Sequence, residues 1–238
     1  MKPVRPDSWS SLLLPPVCCL CRRVHRPVTD YPGICRSCLA RLPLRFGPQQ
    51  RLAGKDGESG VIAAAYYLPP VRDLLLRLKF SGAPQMSIAL TGLLTQLVRR
   101  QVPDAAAVLA VPLHRRRLRE RGYNQAGLLA GQLADALGLP DLSAGLLRCR
   151  ETGRQSETAD RHERRVNLAG AFSLDLAYWQ AWLAAWPAGS QARLVLVDDV
   201  LTTGATLAAA AEPLRRAGFA VTGAVVASNA RGTLAGLG

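Results

Sequence analysis

The feature that most constrains this chain of 238 residues is the stretch 194–217, where an apolar run meets two adjacent acids and a threonine-rich turn. Residues 194–197 have the continuous apolar character of a buried strand, and residues 205–217 have the spacing of a helix. Asp198 and Asp199 follow the predicted strand directly. A strand that passes through a short turn into a helix predicts an α/β sheet with a ligand site at the strand's carboxyl end.

The residue types in this turn favour a phosphorylated sugar as the ligand. Two adjacent carboxylates repel each other, and ribose hydroxyls or a hydrated divalent cation would satisfy them. The turn that follows can direct hydroxyls and backbone N–H groups toward an anion at a helix start. Its residues are Thr202, Thr203, Gly204, Ala205 and Thr206. A polar turn with a threonine cap is the alternative, and the absence of lysine excludes a Walker A motif.

Apolar runs alternate with helical patterns through the rest of the chain. The predicted strands are residues 61–68, 107–111, 193–197 and 219–226, and the predicted helices are residues 71–78, 85–100, 123–137 and 205–217. This alternation predicts a mostly parallel central sheet flanked by helices. Residues 43–60 lack periodicity. We therefore expect an amino-terminal module of residues 1–45, a linker of residues 46–60 and an α/β domain of residues 61–238.

Four cysteines near the start of the chain have the spacing of a zinc site. They form two C-x2-C pairs separated by thirteen residues: Cys18, Cys21, Cys35 and Cys38. Two such pairs complete a tetrahedron of thiolates around Zn²⁺, and metal binding would supply the folding free energy of so short a module. Cys19 and His25 are further candidate ligands. The alternatives to a zinc site are redox-active thiols and unpaired cysteines.

The formal net charge is +13, and its excess of basic residues lies in the first 165 residues. Such a charge predicts a phosphate-rich partner, polymeric or small, although free use of arginine on a soluble surface is the alternative. Arginines around the cysteines would neutralise a zinc centre or face a nucleic acid: Arg22, Arg23, Arg26, Arg36, Arg41 and Arg45. Aromatic residues make up only 5% of the chain, which argues against a base-stacking platform.

The sequence also predicts where the protein resides. It contains no run of about 18 apolar residues, so we expect no membrane insertion. Five of the six cysteines cluster between positions 18 and 38, which in a reducing compartment favours metal binding over disulfides. We therefore expect a cytoplasmic protein.

A second group of basic residues predicts a phosphate clamp. Five arginines fall within seven residues: Arg115, Arg116, Arg117, Arg119 and Arg121. Guanidinium groups can bind phosphate bidentately, and a loop held open by its own charge could close when pyrophosphate neutralises it. A solvated basic loop is the alternative.

Residues 195–207, VLVDDVLTTGATL, resemble the type I phosphoribosyltransferase signature that binds 5-phosphoribosyl 1-pyrophosphate (PRPP). Nearly the whole chain resembles the ComF family, also called competence protein F or GntX-like. Proteins of this family pair a small zinc ribbon with a phosphoribosyltransferase domain. The residues that carry the resemblance, besides the cysteines, are Leu78-Lys79-Phe80, Pro112-Leu113-His114, residues 119–125 (RERGYNQ), Gln155, residues 164–167 (RRVN) and Ala171-Phe172.

The resemblance implies a type I phosphoribosyltransferase fold and a set of PRPP-binding residues. Asp198 and Asp199 would contact the ribose hydroxyls directly or through Mg²⁺, and the turn from Thr202 to Thr206 would hold the 5′-phosphate. Further PRPP-binding candidates are Lys79, and also Leu113 and His114 in the place of the pyrophosphate loop. A flexible loop that closes over the site would contain Arg119, Arg121, Gly122, Asn124 and Gln125. The catalytic candidates are Asp198, Asp199 and Arg121.

Three functions compete on this interpretation: a transferase that releases pyrophosphate from Mg·PRPP, a PRPP-binding factor without turnover, and a nucleic-acid protein. The family's association with natural competence implies a connection to DNA uptake or use. Single-stranded DNA and other competence proteins would then be partners. We interpret the chain as a PRPP-binding, phosphoribosyltransferase-like protein of this kind. Three tryptophans on a predicted helix favour core packing or an oligomer contact over a nucleobase platform: Trp179, Trp182 and Trp186.

Overall fold

The computed structural model describes residues 16–26, 28–45, 50–52, 59–80, 83–150, 168, 170–186 and 192–229. The helices are α1 (Arg36–Leu39), α2 (Val71–Phe80), α3 (Met86–Gln101), α4 (Arg115–Arg121), α5 (Gln125–Leu137), α6 (Leu176–Ala184) and α7 (Ala205–Arg216). The strands are β1 (Gln50–Leu52), β2 (Ser59–Tyr66), β3 (Ala105–Ala110), β4 (Leu146–Arg148), β5 (Phe172–Leu174), β6 (Arg193–Leu201) and β7 (Ala220–Ser228).

A central five-stranded sheet has the order β1-β2-β7-β6-β3. Strands β2, β7, β6 and β3 are parallel, whereas β1 pairs antiparallel with β2 at one edge. The predicted α/β class with a mostly parallel sheet is thus confirmed. Strand β1 lies inside residues 46–60, so part of the expected linker belongs to the sheet. Strands β4 and β5 form a separate antiparallel pair.

The central strands are buried on both faces, which explains their continuous apolar sequences. Val195 and Val197 of β6 pack with residues of α2, α3 and α5 on one face. Leu194 and Leu196 pack with residues of α6 and α7 on the other. Successive side chains of a strand point to opposite faces. An apolar residue is therefore needed at every position of a strand that helices cover on both sides.

Strand β6 continues beyond the predicted end at residue 197 and runs through both aspartates to Leu201. Pairing with β7 holds this extension, since Asp198 lies beside Val225 and Leu201 lies beside Ser228. The acidic pair is therefore part of a central strand. Its backbone is restrained by the sheet, and a loop would not provide this restraint.

The cysteine segment packs against the α/β body. Ile34 is fully buried in the core layer that contains α2 and α3. The Nη1 of Arg77, in α2, donates to the carbonyl of Cys19 at 3.1 Å. Pro32 lies so close to Gly92 of α3 that a Cβ at that glycine would come within 3.0 Å of its ring. These contacts make the core of the cysteine segment continuous with that of the body.

Three tryptophans pack in and after α6: Trp179 and Trp182 belong to the helix, whereas Trp186 follows its end at Ala184. Trp179 is 3% exposed, and its Nε1 donates to the carbonyl of Gly145 at 2.8 Å. Its ring centroid lies 4.8 Å from that of Phe219. Trp182 and Trp186 stack at 4.9 Å and are partly buried against the same layer. Although α6 is apolar, neither it nor any other helix in the described ranges is long and apolar enough to cross a membrane.

Candidate functional site

A cavity of about 430 Å³ opens at the carboxyl ends of the parallel strands. Residues after β2 and β3, the end of β6 and the turn before α7 form its walls, together with parts of α2, α4 and α5. The sequence-predicted residues that line it are Lys79, Leu113, Arg121, Asn124, Gln125, Asp198, Asp199, Thr202, Thr203, Ala205 and Thr206. Four other candidates flank this lining without belonging to it: His114, Arg119, Gly122 and Gly204. The fold therefore brings most of the predicted site together.

The two aspartates differ in their partners. Asp199 is 9% exposed, and its Oδ2 forms an ion pair with the Nζ of Lys79 at 2.8 Å. Asp198 accepts a hydrogen bond at Oδ1 from the backbone N–H of Asp199 at 2.8 Å. One carboxylate therefore has a cationic partner from α2, whereas the other is held by a backbone N–H group.

Burial, followed by the adjacent charge of Asp199, raises the pKa of Asp198 to about 7. The N–H of Asp199 and the charges of Lys79 and Arg148 oppose this increase, because they stabilise the ionised carboxylate. Asp198 therefore exchanges its proton near neutral pH. A cation or a hydroxyl donor that enters the cavity would favour its ionised form.

The turn after β6 has the geometry of an anion-binding turn. Gly204 adopts a left-handed conformation with φ of +77°, which a residue with a Cβ rarely adopts. The Oγ1 of Thr203 accepts from the N–H of Ala205 at 3.4 Å, where α7 begins. The first N–H groups of a helix lack partners within it. Together with the hydroxyls of Thr202 and Thr206, they can hold a phosphate.

Three arginines give the cavity a basic side: Arg117 and Arg121 from α4, and Arg148 from the end of β4. Arg121 is positioned by two neighbours. Its guanidinium lies 5.7 Å over the ring of Phe80, and its Nη1 donates to the Oε1 of Gln125 at 3.1 Å. With the lysine of the ion pair, four cations and two carboxylates line the cavity. This balance favours an anionic ligand.

The segment predicted to form a flexible loop consists of a helix and a turn. The arginine-rich residues form α4, and Gly122 ends this helix in a left-handed conformation. The hydroxyl of Tyr123 donates to the carbonyl of Leu78, and the Nδ2 of Asn124 donates to the carbonyl of Val111 at 3.1 Å. The turn is therefore tied to α2 and to the residue after β3. Its closure over a ligand stays a prediction.

Tyr67 and Arg148 also line the cavity, although no motif in the sequence marks them as site residues. Tyr67 follows β2, and its N–H donates to the carbonyl of Ser228 at 2.8 Å. The guanidinium of Arg148 lies 5.3 Å over the ring of Phe172, and burial lowers its pKa. Both are positioned by pairing between strands that are distant in sequence. Other residues of the family resemblance lie outside the described part of the chain: Gln155 and residues 164–167.

The cysteines predicted to bind zinc also converge. The cluster consists of Cys18, Cys21, Cys35 and Cys38, whose Sγ atoms all lie within 4.8 Å of one another. Four thiols at this separation can hold a metal ion such as zinc. As far as the structure describes the chain, neither Cys19 nor His25 belongs to this cluster.

Hydrogen bonds from N–H groups favour negative charge on Cys18, whereas burial raises the pKa of Cys38 to about 12. The N–H of Cys35 donates to the Sγ of Cys18 at 3.4 Å, and the Nη2 of Arg41 donates to the Sγ of Cys38 at 3.7 Å. Burial raises the pKa of Cys18, but hydrogen bonds from the backbone outweigh it and lower the value to about 6. The thiolate is the form of cysteine that binds a metal.

Comparison with known proteins finds related chains. The chain is 36% identical over 209 residues to the DNA utilization protein YhgH of Escherichia coli O157:H7. This alignment covers 84% of this chain and 80% of that protein. It is 34% identical over 206 residues to competence protein F of Haemophilus influenzae, covering 84% and 85%. The adenine phosphoribosyltransferase structure from Leishmania donovani superimposes with a TM-score of 0.39 and 15% identity, covering 76% and 86% of the two chains. No protein-family model matches.

The raised pKa of Asp198 predicts a pH-dependent effect of Asp198→Asn on stability. Because the pKa is about 7 in the folded protein and ordinarily 3.8, the folded state binds this proton more tightly than the unfolded state. The group therefore costs stability as the pH rises from about 4 to about 7. We expect Asp198→Asn to raise the Tm near pH 8 and to raise it less near pH 5, as measured by thermal unfolding.

Asp135→Asn, an exposed change on α5 outside the cavity, is the control for replacing an aspartate by an asparagine. An Asp198→Asn effect that does not vary with pH would contradict the prediction.

Proposed function

The chain belongs to the ComF (competence protein F) family, and we propose that it binds PRPP or a related ribose phosphate at the carboxyl edge of its sheet. The main support is that the aspartates of β6 and the threonine turn before α7 line one cavity. Basic residues of α2, α4 and β4 line the same cavity. A pentose with phosphate groups at both ends offers hydroxyls that the carboxylates can bind and anions that the threonine turn and the basic residues can bind.

Each part of the cavity has a role in this proposal. Asp198 and Asp199 accept hydrogen bonds from the ribose hydroxyls, because ionised carboxylates can only accept. The N–H groups at the start of α7 bind the 5′-phosphate with the threonine hydroxyls. Arg117 and Arg121, near the Leu113 turn, bind the pyrophosphate.

The carboxylates of Asp198 and Asp199 also suit Mg²⁺, which proteins often hold through one or two carboxylates together with substrate phosphates. Asp198 is the better candidate ligand, because Asp199 is already paired with Lys79. Burial beside a second acid destabilises the charge of Asp198, and a cation would relieve this destabilisation. When bound, Mg²⁺ would supply positive charge to the pyrophosphate.

Transfer chemistry at this site would be a displacement at C1 of the ribose. A nucleophile forms a bond to C1 while the bond from C1 to the pyrophosphate oxygen breaks, and the pyrophosphate leaves with the electron pair. Negative charge then increases on the leaving oxygen. In this proposal the arginines of α4 would stabilise this charge, and the aspartates would stabilise the positive charge that develops on the sugar.

Replacing both carboxylates with amides tests PRPP binding. We expect Asp198→Asn/Asp199→Asn to weaken Mg·PRPP binding roughly 100-fold or more, because hydrogen bonds to charged groups contribute about 1.5–3 kcal/mol each. Isothermal titration calorimetry measures this change. Asp73→Asn/Asp135→Asn, two exposed acids outside the cavity, is the matched control and should bind as the unaltered protein does.

Equal affinity of the two double variants would refute the proposal. Pyrophosphate release on addition of candidate nucleobases then distinguishes a transferase from a PRPP-binding factor without turnover.

We further propose that the cysteine cluster holds a structural Zn²⁺ and that residues 1–45 form its module. Residues 61–238 would form the phosphoribosyltransferase-like domain, with residues 46–60 joining the two. Cys18 and Cys38 are buried beside Ile34, where the segment meets the body. Loss of the metal would therefore expose core surface as well as unfold the module.

Elemental analysis and thermal unfolding test the zinc site. We expect about one zinc ion per chain, lost in Cys35→Ser together with a lower Tm. Cys19→Ser is the matched control because Cys19 is adjacent to the cluster without belonging to it, and it should keep the metal. Equal loss of metal in both variants would show that the ligand set is different.

Contact with single-stranded DNA is a second candidate function, supported by exposed arginines around the cysteine cluster: Arg22, Arg23, Arg26, Arg36 and Arg41. Such residues bind backbone phosphates through charge, without reading the sequence. The names of the relatives refer to DNA utilization and competence. We therefore propose a cytoplasmic protein connected to DNA uptake or use, with other competence proteins as further partners.

Salt dependence tests this contact. We expect Arg22→Gln/Arg23→Gln/Arg26→Gln to weaken binding of single-stranded DNA and to reduce the slope of log K against log salt by about 2, the value for three lost phosphate contacts. Fluorescence anisotropy at several salt concentrations measures the slope. The control makes the same change at three exposed arginines elsewhere: Arg72, Arg100 and Arg216. Equal slopes for the two triple variants would locate the contact elsewhere.

A further inference from the structure

The side-chain amide of Gln125 has a hydrogen-bond partner for its oxygen but, among the described residues, none for its nitrogen. Gln125 is the first residue of α5, is 2% exposed and lines the cavity. Its Oε1 accepts from the Nη1 of Arg121 at 3.1 Å, but its Nε2 has no hydrogen-bond partner among the described residues. A buried amide donor without a partner costs stability. In a native structure, such a group needs an explanation.

The orientation of this amide follows from its neighbours. Exchanging the oxygen and nitrogen of Gln125 would place an NH₂ group against the guanidinium of Arg121, and both groups would then be donors. Asn124 is oriented in the same way, because its Nδ2 donates to the carbonyl of Val111 at 3.1 Å. The Oδ1 of Asn124 is also buried without a partner in the described part of the chain. This wall of the cavity is therefore incomplete in its hydrogen bonding.

We propose that the Nε2 of Gln125 donates a hydrogen bond to the pyrophosphate end of PRPP. An amide NH₂ group can only donate, so its partner must be an acceptor. Arg121, which the oxygen of the same amide contacts, lines the cavity with Gln125, and a phosphate group bound there would supply acceptor oxygens. Gln125 would then hold Arg121 with its oxygen and contact the same anion with its nitrogen. This inference rests on the proposed function and adds a binding residue to it.

The proposal predicts opposite changes in stability and affinity. Gln125→Met has a similar volume and removes the unpartnered donor, so the ligand-free protein should keep or raise its Tm. The side chain of Arg121, which is only partly buried, can then hydrogen-bond to water. Affinity for the anion should fall, because the donor is lost. A purely structural glutamine would behave differently, since its removal would lower the Tm and leave affinity unchanged.

The experiment measures Tm and binding for the full chain with three probes: Mg·PRPP, Mg·pyrophosphate and ribose 5-phosphate. For Gln125→Met we expect about 10- to 100-fold weaker binding of PRPP and pyrophosphate, the effect of one hydrogen bond to a charged group. Ribose 5-phosphate should bind as before, because it lacks the pyrophosphate. Gln125→Glu keeps an acceptor for Arg121 but adds a negative charge, and it should weaken pyrophosphate binding further.

Gln132 on the same helix provides a matched control. Its Oε1 accepts from the Oγ1 of Thr91 at 3.0 Å, and its Nε2 donates to the Oγ of Ser87 at 2.7 Å. Because both groups are satisfied within the protein, Gln132→Met should lower the Tm and leave the affinity for all three probes unchanged. The two glutamines should therefore give opposite patterns.

The outcomes separate this inference from the proposed function. If the unaltered protein binds neither PRPP nor ribose 5-phosphate, the proposed function fails and this inference fails with it. If PRPP binds and Gln125→Met binds it equally well, the inference alone is wrong. A lower Tm of Gln125→Met with unchanged affinity would show a structural role. A loss shared equally by ribose 5-phosphate would also overturn the inference, because it would place the effect outside the pyrophosphate site.

Discussion

The site depends on two adjacent carboxylates that are held near the carboxyl end of a central strand, β6. A loop would leave their backbone unrestrained, but β6 continues past both and pairs with β7 on the way. Lys79 compensates one charge, and the second carboxyl remains costly enough that its pKa rises to about 7. This electrostatic cost is the reason to regard the pair as functional: a polar turn alone would not require it.

Contacts between neighbouring side chains position the basic side of the cavity. Gln125 holds Arg121, Phe80 lies beneath the same guanidinium, and Tyr123 ties the turn to α2. The anion site proposed here is therefore preorganised before any ligand arrives, which lowers the entropy cost of binding. The same network leaves two amide atoms unpartnered within the described residues. Gln125, which positions the arginine, and Asn124, which contacts the carbonyl of Val111, thus each keep one polar atom without a partner among the described residues.

The cysteine segment, which contains the candidate metal site, shares a core with the α/β body. Ile34 is buried in the same layer as α2 and α3, and Arg77 of α2 contacts the segment through the carbonyl of Cys19. Helix α2 also carries Lys79, which pairs with Asp199. One helix thus contacts both the cysteine segment and the ligand cavity.

The sequence alone determined the elements with strong local patterns. The apolar strands, the turn from Asp198 to Thr206 and the cysteine spacing are local, so propensity and spacing predicted the α/β sheet and the cysteine cluster. Only the tertiary structure decided that β6 runs through the aspartates, that the arginine run is a helix and that Tyr67 and Arg148 reach the cavity. These features depend on strand pairing and burial between residues distant in sequence, and such contacts leave no periodic signal in the sequence.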